Sequence, residues 1–531
     1  MLIDGRTLNE GEVIKTDICI LGGGPAGITL ANELNGSNLK VALLDAGGEQ
    51  YEANIQQFYE ADSVPIFYPD PQISRLRFLG GASNHWANNT SPFSPLDFEK
   101  RDWIANSGWP IGYDDLAPYY MKAAEYCQTG GDGYSSEYWL PLMELDDLMQ
   151  DAMYSQLSIA KASLPPTRFY VSHGKSLVES ANVYIYKYAS VIDLEFDESE
   201  KRIVAATFTA YNGKQYKVLS DRFVLSMGGL ENARMLLLFN EKYNGKLGNE
   251  SDNVGRYFMD HPTMNAAHLI SEVTRLDSMS RLEGQRFLVA FFELTEKVLR
   301  EEKLINLRMP VTSITEYGMS DGISSFHILK NSLIKGELPD YFFTHYGNLI
   351  LDADMVIEAI ARKQFDTKVF DSAKNKSGYQ IPMMVEQIPE RNNRIHLSAK
   401  KDQLGLNKLS IEWNVSEQNR ELMWRALEVF ARDMGITSIG RLRLLRERAS
   451  RLFGDQMGFG HHHMGTTRMS DTPENGVVDE NCKVFGVGNL YIAGSSVFPT
   501  GSHVPPTLTI TALSVRLADH LKGTREGYHE Q

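Results

Sequence analysis

The sequence predicts an α/β protein: a parallel sheet with helices on its faces, interrupted by an antiparallel insertion and joined to an inserted α+β domain. Three observations predict it. Residues 17–45 read as strand, glycine turn, helix and strand; residues 183–219 are a run of short strands punctuated by turns; and residues 222–239 return to strand, paired glycines and helix. Parallel strands need helical crossovers, whereas hairpin-linked strands pair antiparallel, so the order of these segments sets the sheet's mixed character.

In the first segment, Ile18, Cys19, Ile20 and Leu21 form the continuous apolar run of a strand buried on both faces. Gly22-Gly23-Gly24-Pro25-Ala26-Gly27 follows at once. Gly22 permits the tight turn, Gly24 lets backbone approach a pyrophosphate with no Cβ in the way, and Gly27 lets the next helix lie close on the strand. Pro25 suits the first helical position, whose N–H has no partner inside the helix. Ala26, Leu30, Ala31 and Leu34 recur at helical spacing until Gly36, a left-handed stop. Residues 41–44 form a second buried strand, closed by Asp45, whose carboxylate can accept from both hydroxyls of a ribose. Glycine turns alone are common. With the strand, helix and acid in place, this one predicts a Rossmann-like dinucleotide site for an adenosine diphosphate group without a 2′-phosphate. It does not separate FAD from NAD.

The 531 residues, 42% of them hydrophobic, suffice for two to four domains. A net charge of -15 argues against a nucleic-acid partner, which would require a basic surface. Residues 1–16 carry neither an apolar signal region nor a twin-arginine pair, and no apolar run has membrane-spanning length. The expected location is the cytoplasm, without membrane attachment. Cys19, Cys127 and Cys482 are too few and too scattered for a disulfide framework or a zinc set.

After Asp45 the chain is irregular and aromatic until Leu79-Gly80-Gly81-Ala82-Ser83-Asn84-His85-Trp86, where paired glycines and small polar residues suit either a loop against a flat ligand or a tight turn with a packed His and Trp. Residues 142–162 show a helical pattern. Strands are expected at 183–188, 191–196, 203–211 and 216–219, with turns at 197–199 and 212–213. A further buried strand at 222–227 precedes Gly228-Gly229 and a helix at 231–239. Between residues 261 and 453 no strand-glycine-helix unit recurs, which predicts a separate substrate-facing domain. The expected division is 1–95, 165–260 and 455–531 for the dinucleotide-binding domain, and 96–164 with 261–454 for the substrate-binding domain.

Two features in that second domain resemble functional motifs. Gly318-Met319-Ser320-Asp321-Gly322 matches the GxSxG nucleophile elbow, but the polar and apolar alternation of residues 312–317 is unlike the buried strand such an elbow needs. Residues 441–451 hold five arginines among leucines, which reads as a solvated helix face in a chain this acidic. Near the C-terminus, Gly460-His461-His462-His463-Met464-Gly465 precedes a loop, an apolar strand at 489–493, the turn Gly494-Ser495-Ser496 and an amphipathic helix at 509–521. Three adjacent histidines cannot all face one metal from a strand or helix, so no metal site is expected. One of them can act as a base, since neutral imidazole takes a hydroxyl proton.

These residues together resemble the glucose-methanol-choline (GMC) flavoprotein oxidoreductases. The likeness rests on the N-terminal fingerprint and Gly80 to Trp86, on Ser107-Gly108-Trp109-Pro110 with Tyr113-Asp114-Asp115-Leu116, and on Asn253-Val254-Gly255-Arg256-Tyr257-Phe258. It ends on His462, Gly465, Thr466 and Met469 with Asn489-Leu490-Tyr491-Ile492-Ala493-Gly494. The flavin loop looks most like the pyranose 2-oxidase and bacterial sugar-dehydrogenase branch. The resemblance implies FAD, a CH–OH donor such as a sugar, glycoside or polyol, and O2 or another electron acceptor, and leaves the oligomeric state open. It implies that His462 is the catalytic base and that Gly22, Gly24, Pro25, Ala26, Gly27, Asp45, Gly80, Gly81, Ser83, Asn84, His85, Trp86, Val191, Gly494, Ser495, Pro506 and Thr507 bind the cofactor. His85 stands where some relatives tether the flavin covalently. The family's second substrate-facing His or Asn aligns here with Pro505, which has no polar side-chain group. His503 lies two residues earlier and is the expected substitute. A non-oxidative flavoprotein such as a lyase, a flavin-binding subunit without activity and a serine hydrolase are the rival readings.

Overall fold

The computed structural model describes residues 1–531 apart from 66–67, 316–319, 337, 340–341, 363–375, 446–457 and 524–531. Strand Val13–Leu21 lies at the centre of an eight-stranded sheet, parallel to Val41–Leu44 on one side and to Gln215–Leu225 on the other. Beyond Val41–Leu44 come Val183–Lys187 and Leu2–Asp4, both parallel. Beyond Gln215–Leu225 come Arg202–Thr209 and Ser190–Asp197, antiparallel as the hairpin turns predict. The strand expected at 183–188 therefore belongs to the parallel half, and the antiparallel insertion begins after it.

The strands expected at 216–219 and 222–227 are one strand. Ser220 and Asp221 break its apolar run, but on one edge its backbone pairs continuously with Val13–Leu21. On the other edge its first half pairs with Arg202–Thr209 and its second half with Leu490–Ile492, so the polar break marks a change of neighbour.

The glycine turn forms as its sequence requires. Gly22 has φ +115°, and a Cβ there would lie 2.6 Å from the Ser226 carbonyl oxygen. A Cβ on Gly27 would overlap the Gly22 carbonyl oxygen and sit 2.8 Å from Ser226 Oγ, so only glycine lets helix Pro25–Leu34 approach the sheet. Pro25 takes the first helical turn behind Gly24, and Gly36 adopts φ +77° beyond the helix end.

A second, nine-stranded sheet runs Ser280–Glu283, Arg286–Leu294, Leu307–Pro310, Lys376–Val385, Pro262–Ile270 and Arg441–Leu444 in order of pairing. Ser155–Ser163 joins it, paired antiparallel along the whole of Arg286–Leu294. The helix expected across 142–162 thus does not form: helix Ser136–Leu142 ends where it was to begin, residues 143–154 are turns, and the rest is a strand. Nine cross-strand pairs override a local pattern that carries no capping signal. Residues 441–444 are also extended, not helical. Arg441 and Arg443 are exposed while Leu442 and Leu444 turn inward, which is the period of two of a half-covered strand; residues 446–451 of the arginine run lie outside the described residues.

Of the GxSxG match, Gly318 and Met319 also lie outside the described residues. Ser320 is the N-cap of helix Asp321–Lys335: its Oγ accepts from the Ile323 N–H and donates to Asp352 Oδ2 at 2.7 Å. Its hydroxyl is committed to the cap and to a carboxylate, and among the described residues no histidine pairs with it as a nucleophile elbow requires.

Candidate active site

The C-terminal edge of the parallel strands opens on a cavity of about 740 Å³, within the range of small-molecule and cofactor sites. From the sequence-predicted set, Gly22, Gly24, Pro25, Ala26, Asp45, Gly81, Ser83, His85, Trp86, Val191, His462, Gly494, Ser495, Pro506 and Thr507 all line it. Gly27, Gly80 and Asn84 shape it from behind. Gly80 has φ +96°, and the Asn84 amide clasps the loop by donating to the Leu79 and Gly81 carbonyls at 3.0 and 3.1 Å.

Asp45 is buried, accepting from the Gly23 and Gly47 N–H groups at 2.9 Å each. Burial pushes its carboxyl up, and the two amides work against that. Two carboxylate oxygens with one acceptor bond each still have lone pairs for further donors. His85 is exposed toward the cavity, with Nε2 at 3.2 Å from the Ser74 carbonyl oxygen, and partial desolvation lowers its proton affinity. Trp86 is fixed by donating to the Thr167 carbonyl at 2.6 Å.

His462 is fixed from behind by groups distant in sequence. Its backbone N–H and that of His261 both donate to Asp260 Oδ1, at 2.8 and 2.7 Å. Asp260 Oδ2 accepts in turn from Tyr68 Oη at 2.7 Å. The two imidazoles meet edge to face, Nδ1 to Nδ1, at 2.8 Å. His261 Nε2 lies 3.1 and 3.0 Å from the carbonyl oxygens of Gly501 and Ser502. Carbonyls only accept, so His261 carries its proton on Nε2 and presents a bare Nδ1. His462 must then donate through Nδ1, which leaves its Nε2 unprotonated. Burial, then His261, His463 and His461, then Arg308 hold His462 well below the usual imidazole range, so it is neutral at neutral pH.

His461 lines the cavity in an exposed, left-handed conformation with φ +56°. His463 is buried and packs toward the Phe258 ring at 5.9 Å.

His503 does not line the cavity. It is buried with Nε2 at 2.7 Å from Glu293 Oε2 and Nδ1 at 3.4 Å from Ser502 Oγ, which commits both ring nitrogens elsewhere. The expectation that it faces the substrate is corrected for a physical reason. The bend at Ser502, with φ +56°, turns the imidazole toward a carboxylate on strand Arg286–Leu294. Pro505 does line the cavity, with no side-chain donor.

Sequence reasoning missed His261, although Asp260-His261 lies one residue beyond the Asn253 to Phe258 motif. It also missed a group of charges at the cavity wall. Glu231 pairs with Arg75 at 3.2 Å and Arg234 at 2.7 Å, with Arg77 at 3.8 Å, and Arg234 also pairs with Asp402 at 2.8 Å. Burial opposes ionisation of Glu231, yet Arg234, Arg75 and Arg77 keep its carboxyl below the usual range. These partners come from three separate stretches of chain, around residues 75–77, 231–234 and 402, and no local pattern links the three.

The family model described as GMC oxidoreductase matches residues 389–514. The chain is 36% identical to dehydrogenase str4 of Strobilurus tenacellus, over 98% of its own length and 96% of that protein. It is 22% identical to the fructose dehydrogenase large subunit of Gluconobacter japonicus, over 96% and 98% of the two chains. In fold it resembles the crystal structure of pyridoxine 4-oxidase from Mesorbium loti, with a TM-score of 0.58 and 16% identity over 97% of this chain and 99% of that one. Sequence and fold thus place this chain in the GMC oxidoreductase family, as an FAD-dependent oxidoreductase acting on CH–OH donors.

Proposed function

We propose that this enzyme oxidises a CH–OH group of a sugar, glycoside or polyol to a carbonyl, with His462 as the base that takes the hydroxyl proton. One observation carries the reading: the tautomer forced on His462 by His261 leaves a neutral, unprotonated Nε2 on a side chain that lines the cavity.

The residues present fit FAD. A Cβ on Gly24 would meet nothing within 4 Å, so the first turn of helix Pro25–Leu34 is open to a ligand whose phosphates its N–H groups can meet. Asp45 would hold a ribose, and Gly81, Ser83, His85 and Trp86 with Val191, Gly494 and Ser495 would line the rest. Helix Thr507–Gly523 begins at the cavity behind Pro505 and Pro506, and its N-terminus favours negative charge there. When bound, FAD supplies the two-electron acceptor for the carbinol hydride, and O2 or another acceptor reoxidises it.

The chain's own part is positioning and proton transfer. His462 Nε2 accepts the substrate's O–H proton, which raises the electron density that expels the hydride from carbon. His261 keeps the bare nitrogen on the cavity side, and Asp260 fixes both backbones. The surrounding apolar groups, among them Phe459, Met384 and Ile510, exclude water from the transfer. On this reading residues 1–95, 165–260 and 455–531 hold the cofactor, and 96–164 with 261–454 face the substrate.

The test is anaerobic bleaching of the flavin by a panel of sugars, glycosides and polyols, followed by readmission of air to distinguish an oxidase from a dehydrogenase. His462→Ala should keep its FAD and slow reduction by roughly a hundredfold or more. A flavin that no CH–OH donor bleaches would favour a non-oxidative flavoprotein. Unimpaired reduction by His462→Ala would move the base.

A further inference from the structure

Arg308, on strand Leu307–Pro310, is 6% exposed and lines the same cavity as His462. Of the arginines on that cavity wall, Arg75, Arg77 and Arg234 each have a carboxylate within 4 Å, and Arg308 has none among the described residues. Its Nη2 donates to Asn89 Oδ1 at 3.1 Å, and its Nε has no hydrogen-bond partner. The guanidinium lies over the Phe291 ring, 4.8 Å from its centroid, a contact that favours the cation without satisfying its donors.

The nearest acid does not complete it. Glu293 is committed to His503 through Oε2 and to Gln156 and Ser158 through Oε1. Burial pulls Arg308 down to about 10, against the pull of Glu293, so at neutral pH it remains a cation. A buried, unpaired cation is costly, and that cost is recovered when an anion completes its donor set.

We propose that Arg308 receives a carboxylate of the substrate, so that the CH–OH donor is a sugar acid or a related hydroxy acid. This deepens the function proposed above and rests on it. Guanidinium donors match the two oxygens of a carboxylate in one plane. A phosphate dianion would call for more charge. The cavity wall next to Arg308 and His462 is built from Asn89, Thr263 and Met384, which supply none. With its carboxylate on Arg308, the substrate would present a carbinol to His462 in a fixed orientation, which makes Arg308 a specificity-determining residue.

The holoenzyme is tested anaerobically with D-glucose, D-gluconate, D-glucuronate and glucose 6-phosphate, following flavin reduction. The carboxylates should reduce the flavin with kcat/KM at least about tenfold above glucose. Arg308→Met should lower the carboxylate-to-glucose ratio by roughly a hundredfold, as expected for truncating one side of a buried charge pair, and Arg308→Lys should restore part of it. Glutarate, which has carboxylates but no carbinol, should perturb the flavin spectrum of the wild type and not of Arg308→Met. Glucose or its phosphate outperforming the acids in the wild type would overturn the proposal. So would an equal loss on all donors in Arg308→Met together with a shifted flavin potential, which would assign the cation to the flavin. Glutarate binding that depends on Arg308, with no donor bleaching the flavin, would support the anion site while sinking the oxidation itself.

Discussion

His261 is the residue whose removal best separates positioning from chemistry. In His261→Ala the acceptor at 2.8 Å from His462 Nδ1 disappears, and the carbonyls of Gly501 and Ser502 lose their common donor. His462 is then free to carry its proton on either nitrogen. A buried hydrogen bond of this kind contributes about 1–2 kcal/mol, which is a five- to thirtyfold preference for the tautomer with a bare Nε2. Losing that preference lowers the competent fraction from about 0.83–0.97 to about one half, so flavin reduction should fall by about twofold, with FAD content unchanged. His261→Asn, whose amide can both donate and accept, should lose less.

A purely structural role for His261 would not move the pH profile, whereas a positioning role would. With His462 as the proposed base, reduction requires its neutral form, so the rate is lost as pH falls through that residue's folded pKa. Burial is the leading cause that depresses it. His261→Ala opens the back of the ring to water and relieves part of that burial, so the acid limb should shift upward, toward the ordinary imidazole value near ~6.5. The assay is anaerobic stopped-flow reduction from pH 5 to 9 on wild type, His261→Ala, His462→Ala and the double variant. The double variant should be no slower than His462→Ala alone, because the two residues act as one unit. Wild-type rates in His261→Ala with an unmoved acid limb, or losses that simply add in the double variant, would refute the tautomer argument.

If His85 tethers the flavin, acid-denatured protein stays yellow and His85→Ala releases the colour; free FAD in the acid supernatant of the wild type removes that idea. The His503–Glu293 pair should show itself in stability against pH. Burial opposes the charge on His503, but Glu293, Asp97 and Glu386 raise it above the usual imidazole value. Its contribution is therefore fully present below about pH 6.5 and is lost as pH rises through the raised value. Glu293, held below the usual carboxylate range despite burial, keeps its contribution above about pH 4.3 and loses it as pH falls through the folded value. The Tm of the FAD-loaded wild type should decline as pH rises from 6 to 9, and His503→Asn should flatten that decline; equal slopes would remove the ion pair from the account.

What could be read in the sequence was what is local. Residues 18–21, Gly22 to Gly27 and Asp45 sit in one βαβ unit, so their spacing alone carried the geometry. The antiparallel insertion was legible because its turns are short. The strand Ser155–Ser163 was not, because its partner, Arg286–Leu294, lies more than a hundred residues later and the pairing overrides a local helical pattern. The same limit applied at the site. His462 could be found by likeness to a motif, but His261 is 201 positions away and its role exists only as a contact. His503 was misread because spacing places a residue in a loop without fixing which side of the loop its ring takes.

The departure at Pro505 has a physical consequence that the histidine pair explains. In a site with a second polar residue facing the substrate, the reacting oxygen is held between two side chains, and each limits where the other must stand. Here one of those positions is a proline at the head of helix Thr507–Gly523 and cannot contribute a side-chain hydrogen bond. On the proposed mechanism the base, His462, must therefore be fixed without help from the substrate side. Asp260 does this for the backbone by accepting from both His261 and His462. His261 does it for the ring, and its own ring is fixed by the carbonyls of Gly501 and Ser502. Those carbonyls belong to the loop that His503 anchors to Glu293, while Ser502 donates to Asp97 at 2.8 Å. The histidine expected to face the substrate thus acts two bonds further back, by holding the loop that holds His261. Orienting groups on the far side of the proposed base leave the cavity side open, and it is there that, on the inference drawn above, the Arg308 guanidinium rather than a second imidazole or amide takes hold of the substrate.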